Sequence, residues 1–346
     1  MAYTTINKST DHFNTKLYTG NGSANHGITG IGFQPDLVWI KNRTSTYWHQ
    51  KYDVVRGVNK SIASNATNSQ ENRTDNLNSF DTDGFTVGAE GGDKNVNYSG
   101  DNYVAWNWKA NGSGSSNTDG SITSTVSANT TAGFSIVKFT GTEANATIGH
   151  GLSTAPKVVI IKGLSTTHDW VYGGDNIGWT KYLNLNNTSV GGTASAVWND
   201  TAPTSSVFSV GNNQAVNQSG VEHIAYCFAE KTGYSKFGSY TGNGSTDGTF
   251  VYTGFKPAFI ITKPTGNISS WNITDVKRST YNDGSLERLF ANGDNTESST
   301  TNYDILSNGF KLKTTDNDYN PSGGNVIYMA FGQSLVGSNN IPATAR

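Results

Sequence analysis

The sequence predicts an all-β protein built from three tandem β-sandwich units of jelly-roll-like type. Three observations support this prediction. Gly, Asn, Ser and Thr are abundant, while Val, Ile, Thr and aromatic residues supply the apolar content, a mixture that suits strands and turns. No long segment shows the 3.6-residue periodicity of an amphipathic helix. An internal repeat then predicts the number of units.

The repeat begins with residues 18–23 (YTGNGS), which return letter for letter at 240–245. Residues 139–142 (FTGT) occupy the equivalent place between these two copies. Counted from the threonine of each Thr-Gly pair, a proline follows at offset 16 and a lysine at offset 22 in every copy. The pairs are 121 and then 101 residues apart, enough for a core in each unit, so we expect three separate beads. The matching residues are Pro35, Pro156, Pro257, Lys41, Lys162 and Lys263.

The repeat phase divides the chain into six segments. The first junction contains NGSGSS at 111–116, a composition typical of flexible linkers. The second junction, residues 231–237, is short and carries two aromatic residues that can pack, so we expect units two and three to form the stiffer pair. The segments are an N-terminal arm (1–16), a first sandwich (17–110), a Gly/Ser/Thr-rich linker (111–130), a second sandwich (131–231), a third sandwich (232–334) and a C-terminal tail (335–346).

Each unit presents the same succession of predicted strands. A proline precedes a short apolar run, which is typical of a strand covered on both faces. The lysine that closes this run is expected to lay its stem on the core and keep its ammonium group in water. The Gly-rich segments 20–22 and 242–244 are predicted to be hairpin turns, because no helix follows them to bind phosphate. The strands are predicted at 37–40, 158–161 and 259–261, at 84–87, 207–210 and 309–312, and at 103–108, 223–228 and 328–331.

Charge and composition exclude several functions. The formal net charge is −2, only 14% of residues are charged and no basic block occurs, so nucleic acid is not an expected partner. No stretch of about 18 apolar residues and no export signal is present, so we expect no membrane insertion. The single Cys227 excludes an intramolecular disulfide and fits synthesis in a reducing cytoplasm.

The sequence offers no convincing catalytic set, and we predict a protein that is not an enzyme, with no catalytic residues, no metal and no cofactor. The six histidines are scattered, and the acidic residues define no carboxylate pair. Fragments of calcium loops at 81–84 and 316–318 do not continue into the twelve-residue pattern. An Asp and an Arg three residues apart occur at 53–56 and 275–278, where a surface ion pair or turn contact explains the spacing.

Aromatic residues are the remaining resource for binding. Five residues that follow the strand-end lysines are predicted to lie in loops beside Asn and Asp side chains. A flat apolar ring face next to amide and carboxylate groups suits a sugar, and packing in the core is the alternative for each residue. The candidate contacts for a glycan or receptor are Tyr47, Trp48, His168, Trp170 and Trp271.

Several longer motifs extend across nearly the whole chain. They resemble a tandem β-domain family of tail-fibre-like virion proteins of marine tailed phages. The resemblance implies a non-enzymatic virion surface protein, a tail fibre or host-attachment protein that recognises surface glycans. The motifs are FQPD at 33–36 with WIK at 39–41, GHGL at 149–152 with Pro156, PTSSVF at 203–208, AYCFAE at 225–230, KFGSYTGNG at 236–244 and DILSNGFK at 304–311.

The same resemblance implies partners and a location. We expect other virion proteins and host surface polysaccharide as partners, a homotrimer by analogy with phage fibres, and exposure on the virion after synthesis in the host cytoplasm. The chain starts almost directly in the first repeat, whereas a fibre often carries a separate docking domain. Two alternatives stay open: a capsid decoration or capsid-fibre protein without receptor binding, and a glycan-degrading fibre enzyme.

Overall fold

The computed structural model describes residues 4–89, 91–279 and 286–335, and strands dominate its regular structure. The all-β prediction is confirmed. Helix in these residues is limited to a 3-10 turn at Ser9–Asp11 and two single-turn helices, α1 (Ser195–Trp198) and α2 (Gln214–Asn217). The strands fall into three groups, which we call unit 1 (13–108), unit 2 (115–228) and unit 3 (235–332).

Unit 1 contains an inner sheet, an outer sheet and one short pair of strands. The inner sheet has the order β1-β9-β3-β4, the outer sheet the order β2-β8-β7, and β5 pairs with β6. The strands are β1 (Phe13–Thr19), β2 (His26–Thr29), β3 (Leu37–Asn42), β4 (Gln50–Asp53), β5 (Lys60–Ser61), β6 (Glu71–Asn72), β7 (Leu77–Asp81), β8 (Gly84–Val87) and β9 (Asn102–Trp108).

Unit 2 repeats this plan with a wider inner sheet. Its order is β10-β11-β12-β19-β14-β15-β16-β17, and the outer sheet is the pair β13-β18. The strands are β10 (Ser115–Asn117), β11 (Ser124–Asn129), β12 (Phe134–Thr140), β13 (Ala146–Gly149), β14 (Val158–Gly163), β15 (Val171–Gly174), β16 (Lys181–Asn184), β17 (Gly192–Thr193), β18 (Val207–Val210) and β19 (Glu222–Phe228).

Unit 3 has the inner order β20-β28-β22-β23-β24-β25 and the outer order β21-β27-β26. In all three units the last strand of the inner sheet lies between the strand that ends at the repeated Thr-Gly pair and the Pro-led central strand, and these pairs are antiparallel. The strands are β20 (Ser235–Thr241), β21 (Phe250–Tyr252), β22 (Pro257–Pro264), β23 (Asn272–Asp275), β24 (Leu286–Phe290), β25 (Ser298–Thr300), β26 (Tyr303–Leu306), β27 (Gly309–Leu312) and β28 (Asn325–Gly332).

The central strand of each unit is covered on both faces, as predicted. In β3, Val38 and Ile40 pack with the outer sheet in a core that belongs to unit 1 alone. Leu37 and Trp39 alternate with them and belong to a different core. The same alternation holds in the other units, where Val158, Ile160, Phe259 and Ile261 face this second core, and Val159, Ile161 and Ile260 face the outer sheets.

The second core is common to all three units, so the expectation of separate beads is wrong. The inner sheets turn one face toward each other and bury a shared cluster of aromatic rings. Phe13 of unit 1 stacks on Phe331 of unit 3 with ring centroids 5.1 Å apart. Phe331 also lies 6.0 Å from Phe228 of unit 2. We call this cluster the common core.

Two rings of hydrogen bonds close the units around the common core. We call the loop between the Pro-led central strand and the next strand of each inner sheet its central hairpin loop. In the first ring, the side chain of the last residue of each central hairpin loop bonds a backbone carbonyl of the preceding unit, and unit 3 counts as the unit that precedes unit 1. The three positions are equivalent, because each lies 30 residues after the threonine of its Thr-Gly pair. The backbone N–H of each also donates to an asparagine Oδ1, which lies 16 residues later in units 1 and 2 and 21 residues later in unit 3. The bonds are Trp170 Nε1 to Ala63 O (2.7 Å), Trp271 Nε1 to Asn184 O (2.9 Å) and His49 Nε2 with Phe290 O (2.9 Å).

The second ring consists of backbone bonds alone. Each unit donates one N–H to the residue that begins the central hairpin loop of the following unit, and unit 3 donates back to unit 1. The chain therefore forms one body with approximate threefold symmetry. The bonds are Gln70 N to Leu164 O (2.7 Å), Gly191 N to Thr265 O (3.1 Å) and Glu297 N to Arg43 O (2.9 Å).

The predicted linker at 111–130 is not a linker. It contains β10 and β11, which widen the inner sheet of unit 2 by pairing with β12. Ile122 and Val126 bury their side chains in the core of unit 2, which explains why this polar segment is held. Composition indicated flexibility, but two apolar side chains on an available sheet edge are enough to order it.

The N-terminal arm is shorter than predicted, because residues 13–16 belong to β1. Ile6 is buried in the common core. Ser9 Oγ donates to Gln333 O at 3.1 Å, and Leu335 N donates to Asn7 O at 3.0 Å. The start of the chain thus packs against the end of unit 3. Of the predicted tail, only Leu335 is described, and residues 336–346 lie outside the described residues.

The repeated Thr-Gly segments are not hairpin turns, because β1 and β2 belong to different sheets, as do β20 and β21. Each segment is a loop that passes from the inner sheet to the outer sheet, which we call a crossing loop, and a buried asparagine holds it in place. A Cβ on Gly20 would lie 2.1 Å from Tyr98 O, so the close approach of two backbones requires glycine. The asparagine amides accept from and donate to the crossing loops, and the three residues are Asn97, Asn217 and Asn320.

Because the core is shared, a cavity in unit 1 should destabilise the whole chain. Trp106 is fully buried, and its Nε1 donates to Asp275 Oδ2 of unit 3 at 3.0 Å. We expect Trp106→Ala to lower the free energy of unfolding by about 3–5 kcal/mol in a single urea transition, with circular dichroism and tryptophan fluorescence coincident. Tyr98→Ala, at an exposed side chain, is the control and should change little. An early transition confined to unit 1 would contradict the shared core.

Candidate functional site

The three central hairpin loops, each of which joins the Pro-led central strand to the next strand of its inner sheet, lie at one end of the molecule. They span 42–49, 163–170 and 264–271, so they have equal length. The second ring of hydrogen bonds accepts at Arg43, Leu164 and Thr265, which brings the three loops around the approximate threefold axis. We call this end the loop pole. The predicted contact residues all lie in or next to these loops.

Three buried lysines support the loop pole, contrary to the expectation that their ammonium groups stay in water. Lys41, Lys162 and Lys263 are each 0% exposed. Residue 41 has the same strand parity as Trp39, so it points inward, and carbonyl oxygens of the loop replace water around its Nζ. Lys41 donates to Asn42 O (2.6 Å), Lys162 to Gly163 O and Thr166 O (2.9 Å each), and Lys263 to Ser269 O (2.6 Å) and Thr188 O (3.0 Å).

Burial lowers the pKa of these ammonium groups. The pKa of Lys41 falls to about 7, although Asp294 and Glu297 oppose the shift. The pKa of Lys162 falls to about 8 against the opposing charge of Asp169, and that of Lys263 to about 8 against Asp318. The lysines are therefore part of the framework of the pole and not ligand contacts.

A fourth lysine lies deeper, in the common core. Lys51 Nζ is 3.9 Å from the ring centroid of Trp39 and 4.5 Å from that of Trp170, beside a cavity of about 30 Å³. Burial, together with the charge of Arg56, lowers the pKa of Lys51 well below its ordinary value. Tyr172 and Ile273 occupy the equivalent register positions in units 2 and 3. Lys51 is 2% exposed and its Nζ faces three rings, so we assign it to packing.

Trp170 and Trp271 are not surface residues, and their prediction as exposed loop contacts is wrong. They are 0% and 1% exposed, and both donate in the first ring of hydrogen bonds. Their equivalent in unit 1 is His49, so Trp48 stands one residue before the ring position. Counted from the threonine of each Thr-Gly pair, Trp48 lies at offset 29, whereas Trp170 and Trp271 lie at offset 30, so Trp48 does not have their role. Tyr47, Trp48 and His168 are partly exposed at the pole.

Unit 1 carries three exposed or partly exposed aromatic residues, Tyr47, Trp48 and Tyr98, which we call the aromatic platform. The rings of Tyr47 and Tyr98 are 6.3 Å apart at 62°, and Tyr98 is 53% exposed. Trp48 is fixed by its backbone N–H, which donates to Asp93 O at 2.8 Å, and by Lys94, whose Nζ lies 4.6 Å from the centroid of the indole ring. The platform is thus exposed but held in place.

Polar groups border the aromatic platform. Asp101 Oδ2 accepts from Asn42 Nδ2 at 2.7 Å and from Ser45 Oγ at 3.0 Å. Burial raises the pKa of the Tyr47 phenol, and the nearby Asp101 and Tyr98 add to this shift. The phenol therefore keeps its proton and can donate a hydrogen bond.

Sequence reasoning missed Tyr98. Its signal was available, because Tyr98 follows the crossing-loop asparagine Asn97. The equivalent asparagines in units 2 and 3 are followed by Gln218 and Pro321. Alignment of the three asparagines would have shown that unit 1 alone carries an aromatic residue there.

The other two units place different chemistry at the same positions. The equivalents of Tyr47 are His168 and Ser269, and those of Trp48 are Asp169 and Ser270. Asp169 is bound by asparagine amides, with Asn186 Nδ2 at 2.7 Å and Asn184 Nδ2 at 3.0 Å. A repeated framework therefore carries three different surfaces, and of these equivalent positions only those of unit 1 carry two aromatic residues.

Several groups capable of acid–base or nucleophilic chemistry are buried. Cys227 is fully buried, and burial raises the pKa of its thiol. Burial lowers the pKa of His223 to about 4 and that of His49 well below its ordinary value. Within residues 4–89, 91–279 and 286–335, no three His, Cys, Asp or Glu side chains are arranged to hold a metal ion.

The two Asp–Arg pairs are buried, not surface contacts. Arg56 Nε bonds Asp53 Oδ2 at 2.5 Å, and Arg278 Nε bonds Asp275 Oδ2 at 2.6 Å. Both carboxylates also accept from a neighbouring unit, Asp53 from Tyr226 OH at 2.9 Å and Asp275 from Trp106 Nε1. Both Asp–Arg pairs lie at interfaces between units, and the packing of the units shields them from solvent.

The fold and site define an all-β protein of three repeated units closed around one core, with an aromatic platform at one pole. Residues 8–334 match a family described as a domain of unknown function, DUF7483, and the chain belongs to that family. Comparisons with curated proteins and with solved structures found no match. Among the described residues, no helix has the length and apolarity that crossing a membrane requires.

The buried lysines predict a specific pH dependence of stability. Unfolded lysine keeps its proton to about pH 10.5, whereas folded Lys41, Lys162 and Lys263 lose theirs near 7 to 8. The unfolded state therefore binds more protons in this interval, and the free energy of unfolding should rise from about pH 7 to about pH 9.5. We expect about 1–2 kcal/mol per lysine in urea titrations, and Lys41→Met should remove its share.

The control for this measurement is Lys157→Met. Lys157 is partly exposed, and its hydrogen bond to Asp175 raises its pKa, so its removal should leave the rise between about pH 7 and about pH 9.5 intact. A free energy of unfolding that is flat or falls across this interval would show that the three lysines stay charged in the folded protein.

Proposed function

We propose that the protein is a non-enzymatic virion surface protein of a tailed phage, a tail fibre or host-attachment protein that binds host surface glycans through the aromatic platform. The observation that carries the binding part is the platform itself. Tyr47 and Trp48 lie on a pole loop whose equivalents carry other residues at both positions, and the ring of Tyr98 contacts that of Tyr47. The virion part rests on the sequence motifs that resemble tail-fibre-like proteins.

The chemistry of the platform favours a saccharide over a peptide or an ion. Tyr47 and Tyr98 present ring edges and faces at 62° to each other, which suits the C–H face of a sugar. Asp101 and Ser45, both partly exposed, add a carboxylate and a hydroxyl beside the rings. Weak binding at one platform gains from many copies on one particle through avidity.

The burial of reactive groups supports a binding role without catalysis. Cys227, His49 and His223 lie in cores, and no metal or cofactor is part of the proposal. Asp101, a partly exposed carboxylate beside the platform, accepts hydrogen bonds from Asn42 and Ser45. A carboxylate held in this way orients a ligand hydroxyl.

The proposal includes a finer description of the fold. The inner and outer sheets of each unit enclose a separate core, and we assign each unit as a jelly-roll-like β-sandwich. The resemblance implies a homotrimer, contacts with other virion proteins and a place on the virion surface. Since three units of one chain already close a ring, a trimer of chains is not needed to complete the fold.

A purely structural role, as a capsid decoration or capsid-fibre protein, is the second candidate. The observation that favours it is an exposed strand edge in unit 3. Phe250 and Tyr252 of β21 are 44% and 59% exposed. In unit 2 the equivalent β13 is covered by the inserted segment, where Ile122 bridges to Ile148. The uncovered edge of unit 3 would suit a contact with another virion protein.

The test is competition for phage adsorption by the purified protein. We expect the wild type to block adsorption and to bind isolated host surface polysaccharide. Tyr47→Ala combined with Tyr98→Ala should weaken that binding by about tenfold, because each ring contributes on the order of 1 kcal/mol. Tyr252→Ala is the matched control, since it removes an exposed tyrosine far from the platform in the sequence.

Other results would each decide against part of the proposal. Normal adsorption of particles that lack the protein would leave only the structural role. Equal binding by the double variant would remove the platform as the site. Release of reducing sugar from the polysaccharide, lost on carboxylate substitution, would make the protein a glycan-degrading enzyme.

A further inference from the structure

A cleft of about 310 Å³ opens between units 2 and 3. Its walls come from the turn after β15, from β16 and β17, and from the start of the third central hairpin loop. The residues that line it include Ile177, Lys181, Tyr182 and Gly191 of unit 2, and Thr265 and Asn325 of unit 3. The cleft is separate from the aromatic platform, which belongs to unit 1.

The equivalent space is filled at the other two interfaces. In unit 1, Arg56 extends into it and donates to Lys60 O at 2.8 Å and Gln70 Oε1 at 3.3 Å. In unit 3, Arg278 reaches Glu297 Oε1 at 3.0 Å. An arginine and a long polar side chain therefore occupy both spaces.

In unit 2 the same positions carry Ile177 in place of the arginine and Gly191 in place of Gln70 or Glu297. Gly174 also replaces the aspartate that pairs with the arginine in units 1 and 3. Unit 2 therefore lacks all three of the side chains, an aspartate, an arginine and a glutamine or glutamate, that interact at each of the other two interfaces. The cleft follows from this loss, while Gly191 N still donates to Thr265 O and keeps the two units in place.

The cleft carries one positive charge and no negative charge among its lining residues. Lys181 is exposed, and within the described part of the chain its ammonium group has no hydrogen bond and no ion pair. Tyr182 is partly buried and lies against the backbone of Gly192. Thr265 and Asn325 supply hydroxyl and amide groups on the opposite wall.

We propose that this cleft binds an acidic saccharide, a sugar unit that carries a carboxylate. The carboxylate pairs with Lys181, the ring lies on Tyr182 and Ile177, and the hydroxyls bond Thr265 and Asn325. The volume is at the lower end of small-molecule sites, about 300 Å³, which suits one or two sugar rings. The site stands independently of the platform and of the virion assignment.

Titration calorimetry of the full chain with trigalacturonate tests this proposal, with neutral maltotriose as the comparison. We expect saturable binding of trigalacturonate that weakens with added salt, and weaker binding of maltotriose. Lys181→Met should weaken trigalacturonate binding by about tenfold, since a charge-assisted hydrogen bond is lost. The matched control is Lys60→Met, at the equivalent position of the filled interface, and it should bind as the wild type does.

A second variant fills the cleft with the side chain that unit 1 uses. Gly191→Gln should abolish binding and leave the thermal midpoint unchanged, because a Cβ at Gly191 meets its nearest atoms at 3.5 Å. Absence of saturable trigalacturonate binding by the wild type would overturn the proposal. So would wild-type affinity in Lys181→Met or in folded Gly191→Gln, and equal affinity for maltotriose would overturn the acidic class. Loss of platform binding by Tyr47→Ala has no bearing on these outcomes.

Discussion

Each inner sheet has two apolar faces, and one unit can cover only one of them. The outer sheet of unit 1 packs on Val38 and Ile40, whereas Leu37 and Trp39 on the other face lie in the common core, to which all three units contribute. The remaining cover comes from the inner sheets of the other units. Burial of apolar area is the main favourable contribution to folding, so the three units fold as one body. The two rings of hydrogen bonds then fix how the sheets are rotated about the common axis.

This constraint separates conserved structure from variable surface within one chain. The buried lysines, the crossing-loop asparagines and the indole bonds recur because each satisfies a buried polar group at a position that the symmetry repeats. The side chains at the tips of the same loops do not take part in these contacts. They diverge into an aromatic pair in unit 1, a histidine and aspartate in unit 2, and serines in unit 3. The cleft between units 2 and 3 has the same origin, because a framework held by backbone bonds tolerates the loss of Arg and Gln side chains.

Much of the strand content could be predicted from the sequence. The Pro-led run at 37–40, the alternating strand at 84–87 and the closing strand at 103–108 all correspond to strands, because short apolar runs and period-2 patterns have few other solutions. The arrangement of the units could not be predicted. Alternation shows that Leu37 and Val38 point to opposite faces, but it does not say that one face belongs to a neighbouring unit.

Only part of the candidate site could be predicted, because the burial of its residues also depends on neighbouring units. Tyr47, Trp48 and His168 lie at the surface. Trp170 is buried because it donates in the first ring of hydrogen bonds, and the equivalent residue of unit 1 is His49, one residue after Trp48. Lysine burial at Lys41 could not be foreseen, since it depends on carbonyl groups of a loop whose path is set by another unit. The cleft depends on Ile177 and Gly191 together with Thr265, which only the closed ring brings near each other.

The central claim is that the ring closes cooperatively, and native-state amide hydrogen exchange tests it most directly. The N–H groups of Gln70, Gly191 and Glu297 each cross a different interface. The account predicts that all three exchange only through global unfolding, with the same free energy as the central strands. Trp271→Phe should lower the protection of all three by an equal amount. Exchange of one amide through a cheaper local opening, with the other two unchanged, would show that the units are separable and would contradict the account.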